Sequence, residues 1–378
     1  MQPHLDVTGT SRERRNIVTA TTVTYDSGGN DPAIKKLVLV LMAFGPLALA
    51  PWVVYWGISA GLLVWWIDIP LIVFFNEWRG LGVTLGFHRT LTHATYQAKA
   101  AWNEGGFALH PWVRMFFLIG GHLAIQTDGE GWGWLHRRHH SDSDGPHDPH
   151  TPWRYVDEDQ LKPGMPGYKW ALLKGIAWAH FGWMLRSWAP EERFYKGFAE
   201  DKQLQWCRRH YGKLILFSYL GPLCIAAVLK VLLLGGSEWN TERLVASVLF
   251  SGLCAGVLNI AFVHHITWCV NSLCHTFGVR PFQKVGSDRS TDLPLWEYGP
   301  LGKAAALWFA FTSNGEAYHA GHHAFAGSPK HALAWKWHLD ITWYLIRLLA
   351  YLNLAHVSGV PSNEQIRRRL VPSWKPPE

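Results

Sequence analysis

Cysteine is scarce in this chain of 378 residues, and its spacing rules out the common cysteine motifs. No two cysteines form a CxxC pair, and no GxGxxG fingerprint occurs. We therefore expect no disulfide framework, no cysteine-bound iron–sulfur cluster and no fused dinucleotide-binding domain. Most of the cysteines lie in apolar runs, where a thiol acts as a small hydrophobic side chain. The five are Cys207, Cys224, Cys254, Cys269 and Cys274.

Acidic residues are in the minority, with 28 against 35 lysines and arginines, which gives a formal net charge of +7. No basic stripe with interleaved aromatic residues accompanies this excess, so we do not expect nucleic-acid binding. A basic chain suits an anionic membrane surface and an acidic protein partner. The N-terminus lacks the apolar core and cleavage site of a signal peptide, and we interpret residues 1–35 as a flexible cytoplasmic arm.

Hydrophobic residues, by contrast, make up 48% of the chain and include 23 tryptophans, a residue suited to membrane interfaces and large apolar cavities. Four apolar segments, at about 37–57, 58–75, 214–234 and 244–268, approach the ~20 residues that a helix needs to cross a membrane. Any one of them could be a buried helix of a soluble protein. Their pairing through short connections favours four transmembrane helices in two hairpins.

The distribution of lysine and arginine predicts the orientation of these helices. Basic residues precede the first apolar segment and are frequent in segments 78–213 and 276–378. The positive-inside rule places these regions, and both termini, in the cytoplasm. We therefore predict an all-α integral membrane protein with a cytoplasmic helical cap. Segment 107–125 is ambiguous, because its His110, Arg114 and His122 suit an interfacial or cap helix better than a spanning one.

Histidine occurs 21 times and is concentrated in motifs on the predicted cytoplasmic side. The motifs are HRTLTH at 88–93, HRRHH at 136–140, NSLCH at 271–275 and HAGHH at 319–323. On a helix, HxxHH places residues i, i+3 and i+4 on one face, so each triplet is predicted to aim its imidazoles at a common point. Surface histidines without a metal would explain one motif alone, but not four on one side of a membrane.

Nine clustered histidines are too many for one ion and divide naturally between two. Imidazole suits iron, zinc and copper, and iron is favoured for redox chemistry because zinc has no redox role. We therefore predict that the cytoplasmic cap holds a di-metal site.

The motif texts GFHRTLTH, HRRHHSDSDGPHDPH, HITWCVNSLCHTFG and GEAYHAGHHAFAGSPKHAL resemble those of the membrane-bound fatty acyl desaturases, the superfamily of stearoyl-CoA desaturase. The resemblance covers roughly residues 70–345. It implies a four-span membrane domain, here 36–350, followed by a cytoplasmic tail at 351–378, and an O2-dependent enzyme that introduces a cis double bond into a long acyl chain. It also implies two ferrous ions, ligated by His88, His93, His136, His139, His140, His275, His319, His322 and His323.

Four further positions receive roles from the same resemblance. Asn271 would hold a water at one metal. Gln126, Trp132 and Thr267 would bend the acyl tunnel and so determine which C–C bond lies beside the metals. Ordinary packing is the alternative for these three residues, above all for Trp132 in a tryptophan-rich chain. Asp148 and His150 are expected to fix their loop, and His264 and His265 to satisfy polar groups near the cap.

The chain also departs from the family pattern, at Trp134, Leu135, Ser187, Trp188 and Ala320. These departures leave the acyl carrier open between coenzyme A, an acyl carrier protein and an intact membrane lipid. The two electrons must come from an external donor, a ferredoxin-, rubredoxin- or cytochrome-type carrier with its reductase.

Two other functions are alternatives to a desaturase. One is a hydroxylase with the same metal architecture, acting on an alkane, sterol or carotenoid. The other is a heme or metal transporter, which the scarcity of ionisable residues in the apolar segments disfavours.

Overall fold

The computed structural model describes residues 32–94, 107–156, 161–235, 239–293 and 299–375, and these residues are predominantly helical. Most of the predicted arm, residues 1–31, lies outside the described residues. In chain order the α-helices are α1 Ala33–Ser59, α2 Trp65–Leu81, α3 Pro111–Leu123, α4 Gly129–Ser141, α5 Tyr168–His180, α6 Lys202–Arg209, α7 Tyr211–Leu234, α8 Thr241–Gly252, α9 Asn259–Leu273, α10 Gly299–Thr312, α11 His319–Ala324, α12 Ile341–Tyr351 and α13 Asn363–Arg369.

Three helices of the described chain are long and apolar enough to cross a membrane, and they support a membrane protein. They are α1, α7 and a continuous helix Thr241–Leu273, in which a π-helical segment Leu253–Leu258 joins α8 to α9. Helix α1 buries only Ala43 and Gly57 and exposes apolar side chains such as Trp52, which suits a hydrocarbon environment. The second predicted span falls on α2, which has 17 residues, so the count of four remains a prediction.

Helix α2 does not end at Leu81 but continues as a π-helix over Gly82–Ala94, which carries the first histidine motif. This π-helix is buried along its whole length and packs closely on α3. A Cβ atom at Gly82 would lie 2.1 Å from the backbone nitrogen of Gly121, so only glycine permits the approach. The ambiguous segment 107–125 therefore forms a helix packed against the π-helix.

The helices around α4 and α11, which we call the histidine cap, pack on two apolar clusters. One cluster surrounds α4 and contains Phe87, Trp134 and Phe198, all fully buried. The other surrounds α11 and receives Leu370 and Trp374 from the C-terminal segment. The structure departs slightly from an all-α fold, because Ala108–Leu109 and Ala355–His356 form a minimal antiparallel sheet. Two elements distant in sequence meet there, a pairing that helical periodicity does not reveal.

Candidate metal centre

The nine predicted histidines converge in two adjacent groups. One group, the five-histidine group, contains His88, His93, His136, His140 and His322. The other, the four-histidine group, contains His139, His275, His319 and His323. In each group every residue offers one ring nitrogen, and these nitrogens all lie within 4.8 Å of one another. Residues separated by more than 200 positions in sequence thus meet around two points.

Each HxxHH motif divides its histidines between the two groups, so the expectation that a triplet points at one place was wrong. On α4, His136 and His140 join the five-histidine group, whereas His139 joins the other. On α11, His319 and His323 join the four-histidine group, whereas His322 joins the first. Adjacent helical residues diverge by ~100°, and this angle lets one turn of helix serve two sites.

The π-helix explains how His88 and His93 reach the same group. In an α-helix, residues five apart point in different directions, with the second ring turned by about 140° from the first. A π-helix bonds each residue to the fifth one along, so His88 and His93 lie nearly one turn apart. Their ring centroids are 5.0 Å apart. A π-helical segment at a functional site is a recurrent feature of proteins.

In the five-histidine group, the Nε2 atoms of neighbouring rings lie close to one another. His88 Nε2 lies 2.9 Å from His322 Nε2, which lies 2.8 Å from His140 Nε2. His136 Nε2 lies 3.1 Å from both His93 Nε2 and His140 Nε2. Burial lowers the pKa of His136, His140 and His322 well below the ordinary value, and the neighbouring imidazoles lower it further. The rings are therefore kept neutral, as metal ligation requires.

In the four-histidine group, carboxylates face the Nδ1 side of three rings. His275 Nδ1 lies 2.7 Å from Asp144 Oδ2, and His139 Nδ1 lies 2.9 Å from Asp148 Oδ2. The third pair, His323 Nδ1 with Asp288 Oδ2, is 3.4 Å apart. A carboxylate at Nδ1 fixes the tautomer and leaves the Nε2 lone pair for a metal.

The arrangement of lone pairs fits a bound cation. With Nδ1 protonated against a carboxylate, a neutral ring presents a bare Nε2 atom, and those of His139 and His323 face each other at 3.3 Å. His275 Nε2 is buried and has no hydrogen-bond partner among the described residues. A buried nitrogen without a partner is costly unless a ligand satisfies it. Imidazole nitrogens suit iron, copper and zinc, so the donor set is compatible with a bound transition metal.

The carboxylates around the centre remain ionised although they are buried. Burial alone would raise the pKa of Asp148, but the facing rings of His139 and His150 hold it below the usual range. Burial also opposes ionisation of Glu316, yet His331, His88 and Arg89 together keep its pKa well below the ordinary value. The expected role of Asp148 is thus confirmed, since it accepts hydrogen bonds from His139 and from the loop backbone.

Several polar residues at the centre were missed by sequence reasoning. Glu316 Oε2 lies 2.8 Å from His88 Nδ1 and 3.3 Å from His331 Nδ1. Arg89 pairs with Glu316 and with Asp340, at 3.1 and 2.8 Å. The only sequence feature that points to these residues is the presence of acidic side chains next to the histidine motifs. His331 approaches because residue 321 is glycine, where a Cβ atom would lie 2.0 Å from the His331 carbonyl.

A cavity of about 240 Å³ lies beside the five-histidine group and is lined by the four remaining predicted site residues. Gln126 Nε2 donates a hydrogen bond to Thr267 Oγ1 at 2.9 Å, and Trp132 stacks on His136 with ring centroids 4.8 Å apart. Trp132, Thr267 and Asn271 also line a smaller cavity of about 50 Å³ that reaches His88 and His319. These residues therefore form the wall common to two cavities at the histidines.

The positions that depart from the family pattern have different environments. Leu135, Ser187 and Trp188 line the larger cavity together with Arg186. Trp134 is fully buried and stacks on Tyr195, at 5.7 Å between ring centroids. The expected roles of His264 and His265 are confirmed, because their Nε2 atoms contact the carbonyl oxygens of Ala124 and Ala43 at 2.6 and 3.1 Å.

Comparison with known proteins identifies the family. The chain is 33% identical over 302 residues to the sn-1 stearoyl-lipid 9-desaturase of Anabaena variabilis, covering 79% of this chain and 82% of that protein. It is 29% identical over 290 residues to the Delta-9 acyl-lipid desaturase 1 of Arabidopsis thaliana, covering 76% and 74%. It is 28% identical over 338 residues to the icosanoyl-CoA 5-desaturase of Limnanthes douglasii, covering 89% and 75%.

No protein-family model matches the chain. The relatives named here nevertheless align over three quarters or more of the chain, and they are fatty acyl desaturases from a cyanobacterium and two plants. The expected enzyme class is thereby confirmed as an oxidoreductase of lipid metabolism. The chain belongs to the membrane-bound fatty acyl desaturase family.

Proposed function

We propose that the enzyme is a four-span membrane desaturase whose nine histidines hold two ferrous ions on the cytoplasmic side, with Asn271 adjacent to them. The observation that carries this proposal is the convergence of the nine ring nitrogens into two groups beside a largely apolar cavity. Two ferrous ions there would supply the activation of O2 and the removal of two hydrogens from neighbouring methylene groups. Residues 36–350 would form the membrane desaturase domain, with membrane lipids around its spanning helices, and the arm 1–35 and the tail 351–378 would lie in the cytoplasm.

The residues of the cavity orient the acyl chain. The hydrogen bond between Gln126 and Thr267 and the indole of Trp132 against His136 support a bend of the acyl chain at this wall. A bent wall favours one register of a long chain, so one pair of carbons lies beside the histidines. Apolar residues such as Phe181, Met184 and Trp268 also line the larger cavity and would help to exclude water.

The substrate is proposed to be a long fatty acyl group carried by a thioester or by a membrane lipid. Lys35 and Arg186 lie among the cavity-lining residues and suit the phosphate of either coenzyme A or a lipid headgroup. The relatives include lipid-acting and coenzyme A-acting enzymes. The electrons would come from an external ferredoxin-, rubredoxin- or cytochrome-type carrier with its reductase, for which the excess of basic residues provides attraction.

Lipid analysis after expression in a bacterial host tests the proposal. We expect total fatty acids to gain a species two hydrogens lighter than a saturated parent, with the double bond at one position. His140→Ala should abolish this product, whereas His147→Ala, a change at an exposed histidine of the same segment, should not. Gain of an oxygen atom instead of loss of hydrogen would establish a hydroxylase.

Purified enzyme distinguishes the carriers. Stearoyl-CoA, stearoyl-acyl carrier protein and phosphatidylcholine vesicles are supplied in parallel with a reduced ferredoxin system. Conversion of phosphatidylcholine alone would identify a lipid-linked substrate, and conversion of a thioester alone would exclude one. If none of the three is oxidised by enzyme that contains two irons, the proposed substrate class fails.

A further inference from the structure

The two histidine groups differ in the charge that surrounds their ligands. In the four-histidine group, three of four rings have an aspartate at Nδ1, namely Asp144, Asp148 and Asp288. In the five-histidine group, Glu316 is the carboxylate found at a ligand ring among the described residues, and it faces His88. The smaller group therefore has the larger negative charge.

The charge of Glu316 is also shared with other partners. Its carboxylate pairs with Arg89 at 3.1 Å and with His331 at 3.3 Å, so a cation already offsets it. The ion-pair partners of Asp144, Asp148 and Asp288 are, by contrast, histidine rings. Their negative charge therefore acts directly on the rings of the four-histidine group. A fifth neutral imidazole adds one donor to the other group but no charge.

The two groups also differ in how far their rings are exposed and how many of them line the cavities. In the five-histidine group, His136 and His140 are partly exposed, and His136 lines both cavities. In the four-histidine group, His139, His275 and His319 are almost fully buried and His323 is partly exposed, and His319 alone among its members lines the described cavities. A metal in the five-histidine group would exchange with solvent by way of the acyl cavity. A metal in the other group would meet the described cavities only at His319.

We propose that the two metal sites are unequal: the four-histidine group binds its ion first and retains it, and the five-histidine group binds the exchangeable ion. Asp144, Asp148 and Asp288 act as positioning residues that fix ring tautomers and increase the basicity of Nε2. A carboxylate partner of a ligand histidine is typically worth 10- to 100-fold in metal affinity. The inference rests on the proposed function, because it presupposes that both groups ligate metal.

Chelator competition on the purified full-length enzyme tests this inequality. The enzyme is loaded anaerobically with Fe²⁺, freed of excess metal and titrated with a chelator, and protein-bound iron is measured by elemental mass spectrometry. We expect two steps, one equivalent leaving at chelator concentrations at least ~10-fold below those that remove the second. Release of both equivalents in one step would overturn the proposal.

A matched pair of adjacent substitutions assigns the steps. His140→Ala alters the five-histidine group and should leave the tightly held equivalent, whereas His139→Ala alters the other group and should leave the weak one. Retention of the tight equivalent by His139→Ala, with its loss in His140→Ala, would reverse the assignment and overturn the proposal. Wild-type enzyme that binds fewer than two equivalents would contradict the proposed di-metal function instead.

Carboxylate variants then test the cause. Asp148→Asn should weaken retention of the tight equivalent by about 10- to 100-fold and leave the weak equivalent unchanged, and Glu316→Gln should do the reverse. Asp288→Asn provides a second variant at a partly exposed position, in case Asp148→Asn does not fold. Asp201→Asn is the control, because Asp201 pairs with Arg114 away from both groups. Equal effects of Asp148→Asn or Asp288→Asn on both equivalents would refute a site-specific role.

Discussion

The apolar helices and the histidine cap bury charge in different ways. Among the apolar helices, Lys230 and Asp68 are fully buried, with Nζ and Oδ1 3.0 Å apart. Lys230 also donates to the carbonyl and hydroxyl oxygens of Ser247 at 3.1 and 2.6 Å. Asp68 also accepts from the Val64 backbone and from Ser251, at 2.7 and 2.5 Å. The three ammonium donors thus all have protein partners.

The cap leaves part of its hydrogen-bonding capacity unused. Asp144 and Asp148 satisfy the Nδ1 atoms of His275 and His139, and the Nε2 atoms remain directed at their neighbours. A buried polar network that satisfies itself stabilises the fold, whereas one that leaves converging lone pairs indicates a ligand. The satisfied contacts of Lys230 and Asp68 therefore indicate a structural role, whereas the unpaired nitrogens among the described residues of the cap indicate a functional one.

The largest expected difference between the two regions is in their response to acid. Burial lowers the pKa values of His136, His140, His319 and His322 well below 6.5 in the folded protein. Below about pH 6.5 the unfolded chain takes up protons at these rings, whereas the folded protein does not. The contribution of the neutral rings to the free energy of unfolding is therefore complete above that pH and is lost as the pH falls. Each such ring lowers the stability of metal-free enzyme by about 1.4 kcal/mol per pH unit.

Thermal unfolding of metal-free enzyme in detergent between pH 8 and 5 measures this effect. His275 has the opposite effect on stability. Burial lowers its pKa, but the carboxylate of Asp144 raises it by more, so the pKa of His275 is raised overall. Four rings outweigh one, and the midpoint should fall on acidification. A midpoint that is constant over this range would mean that the cap histidines are not held neutral.

The next largest expected effect is a loss of stability in the apolar helices when the buried pair of Lys230 and Asp68 is broken. Lys230→Met leaves Asp68 buried without its cation, and we expect a loss of about 3–5 kcal/mol in the free energy of unfolding. The double variant Asp68→Leu/Lys230→Met should recover most of this loss, because neither charge then remains. Metal content should not change. Lys213→Met, at an exposed position of the same helix, is the control.

Metal withdrawal should act on the cap and spare the apolar helices. At a free Fe²⁺ concentration ~100-fold above the dissociation constant, one bound ion adds about 2.7 kcal/mol to the free energy of unfolding. Chelation should lower the unfolding midpoint of wild-type enzyme and of Lys230→Met by the same increment, since distant sites are additive. A smaller increment in Lys230→Met would mean that the two regions are coupled.

The smallest expected effect on stability lies at the cavity wall where the two regions meet. Thr267→Val removes the acceptor of the Gln126 hydrogen bond and should cost about 1 kcal/mol. The same change should broaden the distribution of double-bond positions, measured by mass spectrometry of derivatised fatty acids. Thr276→Val removes a hydroxyl that bonds to the Ser272 carbonyl outside the cavity lining, and should leave the product distribution unchanged. Unchanged products in Thr267→Val would indicate that this bond does not position the chain.

The histidine motifs and the apolar segments were readable in the sequence because both depend on local spacing. The i, i+3 and i+4 pattern predicted that HRRHH and HAGHH lie on helices, and they lie on α4 and α11. The length and composition of 37–57, 214–234 and 244–268 predicted the three long apolar helices. The π-helix of Gly82–Ala94 was not predicted, because its hydrogen bonds are decided by close packing on α3.

By itself, the sequence determined which residues could serve as ligands and that the two HxxHH triplets would lie on helices, since imidazole chemistry and helical periodicity are local properties. Only the tertiary structure decided how the nine rings divide between two groups and which acids stand behind them. Asp144 faces His275 across 131 positions of sequence, and Glu316 faces His88 across 228. Such pairings arise from the packing of distant helices, and no periodicity within one segment encodes them.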